Sequence, residues 1–120
     1  MQLISAQAAD RSILGLPPAP PAAAAPGIFA SVRQARVALL RTSADFCLRR
    51  AASYGMKRDA APPASMLRCF LHAKQHGWAA QAAAYQAMVE DRDADAKEAF
   101  AVSDEAFLRA SDLRALAWPA

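Results

Sequence analysis

The chain has 120 residues, and 33 of its 66 apolar residues are alanine, while Leu, Ile, Val and Phe together number only 23. That length admits one domain at most, with a thin core, and the net charge of +3 is too small for self-repulsion to keep the chain unfolded. No run of 18 apolar residues exists to form a membrane span, no basic region followed by an apolar segment marks a cleaved secretory signal, and the two cysteines do not make a disulfide framework.

Residues 1–26 end in LPPAPPAAAAP, a Pro/Ala tract expected to form a flexible, extended arm. Ahead of it, Leu3, Ile4, Ile13, Leu14 and Leu16 make a short sticky segment on a tether. The remainder, residues 27–120, reads as a single all-helical domain. Its first helix is expected from about Ile28 to Tyr54. Ile28, Val32, Ala35, Leu39 and Phe46 recur at helical spacing as its apolar stripe, widened by Phe29, Leu40 and Cys47. Gly55 stands where a C-terminal glycine would end it.

A second helix is expected to start at the N-cap Ser65 and to stop at Gly77, with Met66, Phe70 and Ala73 as its stripe. A third begins near Trp78 and carries Ala82, Tyr85, Met88 and Val89 on one side. The acidic stretch EDRDAD at 90–95 interrupts the pattern, and Ser103 followed by Asp104 and Glu105 predicts a fresh helix over about 103–116. The fold class that follows is all-α: a small helical bundle or helical-hairpin array of three to five helices behind a disordered N-terminal arm.

The segment GWAAQAAAYQAMVEDRDADAKEAF, residues 77–100, resembles the second half of a tetratricopeptide unit. In that resemblance Gly77 ends one helix, Tyr85 is an interior aromatic and Phe100 opens the next helix after an acidic turn. Ala79 stands in place of the usual aromatic, Ala94 in place of the turn proline, and no second copy follows at a 34-residue period. The resemblance implies a helical hairpin with a groove able to hold a peptide.

Charge is uneven: residues 1–80 carry ten basic and three acidic groups, residues 81–120 four basic and eight acidic. Arginine outnumbers lysine eleven to three, which would suit phosphate or carboxylate recognition, but GC-rich codon usage is the favoured explanation and the count alone is weak evidence for nucleic acid. Arg33, Arg36, Arg41, Arg49 and Arg50 are the candidate nucleic-acid contacts, yet their numbering scatters them around the helix. A helix-turn-helix centred on Gly77 fails because its second helix, Trp78 to Val89, offers no Arg or Lys.

Cys69, His72 and His76 share one flank of the second helix. A structural zinc needs a fourth ligand, for which Cys47 is the only soft candidate, so the expectation is no metal and no cofactor. Both cysteines are expected to be small buried hydrophobes in a reducing, cytoplasmic compartment. LRRAAS at 48–53 matches a basic kinase site at Ser53 but falls within a predicted helix. HExxH, GxSxG and glycine-rich phosphate loops are all missing, so the chain is expected not to be an enzyme.

What these features favour is a protein–protein interaction module, whether an adaptor, a small chaperone or an assembly subunit of a larger bacterial-type complex, with self-association as one form of partnership. Phe29, Trp78, Tyr85, Phe107 and Trp118 are the expected partner-binding residues, with Phe70 beside them. The alternative is a nucleic-acid-associated accessory protein using the basic N-terminal half.

Overall fold

A computed structural model describes residues 21–118, with side chains from Gly27 onward. Among the described residues there are three helices and no strand: α1 (Pro21–Ala60), α2 (Met66–Val89) and α3 (Asp93–Ala117). None is long and apolar enough to cross a membrane. The chain divides into two units, residues 1–36 and 37–120.

In the first unit, the part of the expected arm up to residue 20, with its sticky segment, lies outside the described residues. Residues 21–26 are helical rather than extended. The tract is mostly alanine, the strongest helix former, and Pro21 occupies the first helical position, where a missing N–H costs nothing. Ile28, Phe29 and Val32 are 63%, 68% and 62% exposed.

The second unit is an antiparallel bundle. Down α1 the contacts Phe46 to Trp78, Tyr54 to Lys74 and Arg58 to His72 step backwards along α2. From α2 to α3, Gly77 meets Ser103 and Tyr85 meets Phe100, again in reverse order. Helix α1 runs through Gly55 and stops only before Pro62-Pro63, so Gly55 is not its C-terminal glycine. Ser65 caps α2 as expected: its Oγ accepts from Arg68 N at 3.1 Å and donates to the Pro62 carbonyl at 2.7 Å.

Gly77 does not end α2. It lies buried in the helix interior, because α3 approaches so closely that a Cβ there would sit 2.8 Å from Phe107 Cε1. The expected helices at 65–77 and 78–89 are therefore one. The chain turns instead at 90–92, inside the acidic stretch, with Asp91 at φ 57° and Arg92 N donating to the Ala87 carbonyl at 2.8 Å. Asp93 and Asp95 occupy the first turn of α3, where carboxylates favour a helix start. Ser103 is not a helix start either. Its buried Oγ donates to the Gly77 carbonyl at 2.9 Å, tying the midpoints of α2 and α3.

Of the thirteen buried apolar residues described, ten are alanines; Leu40, Cys47 and Leu71 are the others. On α1 the buried side is Leu40, Ala44, Cys47 and Ala51; Leu40 and Cys47, expected at the margin of the stripe, are buried, whereas Leu39 and Phe46 from its centre are 69% and 50% exposed. These two lie roughly 120° around the helix from the buried four. The inversion has a packing reason: small side chains let helix axes come close, and close approach excludes the larger ones from the contact. Met66 and Leu67 at the start of α2, and Leu108 and Leu116 on α3, are likewise exposed.

Candidate functional site

Helix α2 turns Phe70, Lys74, Trp78, Gln81 and Tyr85 to one side, at steps of four, four, three and four residues. Phe46 of α1 and Phe107 of α3 flank the middle of this row. Both rings meet Trp78 edge-on, with centroids 5.8 and 5.3 Å away. Trp78 thus stands between α1 and α3, and a hollow opens on each side of it. Both hollows have volumes of about 410 Å³. One is lined by Phe70, Lys74, Trp78, Phe107, Ala110, Ser111 and Arg114, the other by Thr42, Ser43, Phe46, Cys47, Trp78, Gln81 and Tyr85. The Trp78 Nε1–H is buried with no hydrogen-bond partner among the described residues, a desolvation cost of about 1–3 kcal/mol.

Cations crowd the rings of this groove. The Arg50 guanidinium carbon lies 5.2 Å from the Trp78 ring centroid and 5.5 Å from that of Tyr54. Lys57 Nζ is 5.2 Å from the Tyr54 centroid, and Lys74 Nζ sits 5.5 Å from Tyr54 and 5.3 Å from Phe107. Attraction to the negative ring faces holds these groups, each contact contributing about 0.5–1 kcal/mol where exposed. No Asp or Glu lines either hollow.

Three of the expected partner-binding residues, Trp78, Tyr85 and Phe107, are brought together here, all half-buried. Tyr85 also stacks edge-on with Phe100 at 5.4 Å. Trp118, 50% exposed at the end of α3, lies edge-on to Phe70 at 5.7 Å and so borders the groove. Phe29 belongs to the first unit. Phe46 was expected in the core stripe of α1 rather than at this groove, and Lys74 and Arg114 were not singled out by the sequence. The i, i+4 row Phe70, Lys74, Trp78 was the one visible signal for Lys74, hidden by the expectation of a turn at Gly77.

The five candidate arginines are all exposed; of these Arg50 is drawn onto the groove's rings. The Cys/His set is pulled apart by its surroundings. Cys47 is buried and burial pushes its thiol up, whereas Cys69, expected to be buried, is exposed in the first turn of α2. His72 Nδ1 lies 3.3 Å from Arg58 Nη1. His76 stacks parallel to His72 with centroids 6.5 Å apart. Among the described residues no group of three or more His, Cys, Asp or Glu side chains could hold a metal ion.

Comparison with known protein families, with curated proteins and with solved structures finds no match for this chain.

Proposed function

We propose that this chain is a non-enzymatic protein–protein interaction module, an adaptor, small chaperone or assembly subunit working in the cytoplasm. The observation that carries this reading is the inversion of its apolar side chains. Alanine fills the interior while Leu39, Phe46, Leu108 and Leu116 stand 50–71% exposed. Burying a leucine or phenylalanine stabilises by about 1.5–3 kcal/mol, a free energy this fold leaves to an external surface. The half-buried aromatic row Trp78, Tyr85 and Phe107 adds the residue types that anchor interfaces.

Affinity capture from the native host, at physiological and at about 1 M salt, tests the reading. At least one discrete protein is expected to remain at high salt and to be lost with Leu39→Glu or Leu108→Glu, exposed positions where the fold tolerates charge. Capture of nucleic acid alone, released by salt, would instead favour the basic arginines of α1. Capture of nothing would defeat the proposal.

A further inference from the structure

We infer that the groove floored by Phe70, Lys74, Trp78, Gln81 and Tyr85 receives an amphipathic helix from a partner protein, one carrying carboxylates beside its apolar stripe. The inference rests on the reading of the chain as an interaction module and adds to it a surface and a partner chemistry.

The shape comes first. From Phe70 to Tyr85 the floor runs 15 residues along α2, about 22 Å, the length of four helical turns. Each hollow of about 410 Å³ is within the size range of ligand clefts, and Trp78 lines both, so together they make one track. Phe46 on one wall and Phe107 on the other bound the place that a fourth helix fills in a four-helix bundle. A helix laid there would present apolar groups every three or four residues to the two hollows.

The charge then selects the helix. Lys74 and Arg114 line the track, and Arg50 and Lys57 stand at its edge on the Tyr54 ring. None of the four has a carboxylate partner among the described residues, although ion pairs do form elsewhere, at Arg58, Arg68 and Arg92. Acidic flanks on the guest would supply what these cations lack. A single-stranded nucleic acid fits less well. Bases stack on open ring faces, and here Arg50, Lys57 and Lys74 already cover Tyr54, Arg50 covers Trp78 and Lys74 covers Phe107.

The test measures fluorescence anisotropy of three labelled probes with the full chain. One is a synthetic peptide of four helical turns with leucines on one face and glutamates on its flanks. The second is the same peptide with lysines, and the third a short oligothymidylate. The glutamate peptide is expected to bind at least about tenfold more tightly than the lysine peptide. Combining Lys74→Glu with Arg114→Glu should reverse that order, a result no general loss of packing would produce. Ser111→Trp, an exposed position on the lining, should fill the track and abolish binding without unfolding the chain. Equal binding of both peptides, or oligothymidylate displacing the glutamate peptide, would overturn the inference. If no peptide binds while the chain still retains a protein at high salt through Leu39 or Leu108, the groove is wrong and the module reading stands; if neither occurs, both fall.

Discussion

Gly55 and Gly77 both lie inside long helices, yet the Cβ each one lacks would meet very different surroundings. At Gly55, where α1 passes α2, the nearest atom is Gln75 Cγ at 3.7 Å, an ordinary contact. At Gly77, where α2 passes α3, three ring atoms of Phe107 lie 2.8–2.9 Å away. The two contacts of α2 are therefore built on different principles. Toward α3, Gly77, Ala84, Ala96, Ala106 and Ala110 allow close approach, and Ser103 locks the midpoint. Toward α1, small Ala44, Cys47 and Ala51 are buried along the middle, but around Gly55, near the end of α1, longer groups such as Arg58 and Gln75, hydrogen-bonded at 3.1 Å, reach across. A small-residue contact depends on distance and forgives little added volume, whereas a contact made by flexible side chains can give.

The largest effect expected from this difference is at Gly77. Gly77→Ala should lower stability by about 1–3 kcal/mol in chemical denaturation despite alanine's better helix propensity, because the Phe107 ring must shift. Phe107→Leu in the same chain should recover most of the loss; additive losses would show that the ring is not the cause. Next, the two thiols should part in reactivity. In the folded protein Cys69 should alkylate at least about tenfold faster than buried Cys47, with both reacting alike in denaturant. Since the Cys47 thiol is pushed up by burial, raising pH above the ordinary thiol range favours the unfolded chain, in which it ionises more readily.

Ser103→Ala removes the bond between the helix midpoints and should cost about 1 kcal/mol, the Gly77 carbonyl losing its side-chain donor. The smallest change has the opposite sign. Gly55→Ala should stabilise by about 0.5–1 kcal/mol, since the added methyl has room beside Gln75 and the helix gains propensity. A Gly55→Ala loss comparable to that at Gly77 would erase the distinction between the two contacts.

Much of the groove was legible before the structure, though under another label. Trp78, Tyr85 and Phe107 stood out as large groups in an alanine-rich chain, and they do come together. Lys74 did not stand out, because a lysine's meaning depends on the rings it covers, and those belong to Tyr54 of α1 and Phe107 of α3. The turn expected at Gly77 split the row in two. Glycine reads locally as a helix end, whereas here it serves a contact with a residue 30 positions away in the chain.

The sequence by itself determined the all-helical class, the Ser65 cap and the break within the acidic stretch at 90–95. These are local matters: capping bonds, proline's missing donor and charge beside a helix terminus act within a few residues. Which faces are buried was decided only by tertiary structure. Periodicity marked Ile28, Val32, Leu39 and Phe46 as a core stripe, but burial goes to the side chains that let helices approach most closely, and in this chain those are alanines. A pattern of apolar residues tells that a helix has a face to cover; the volumes of the residues across from it decide what covers it.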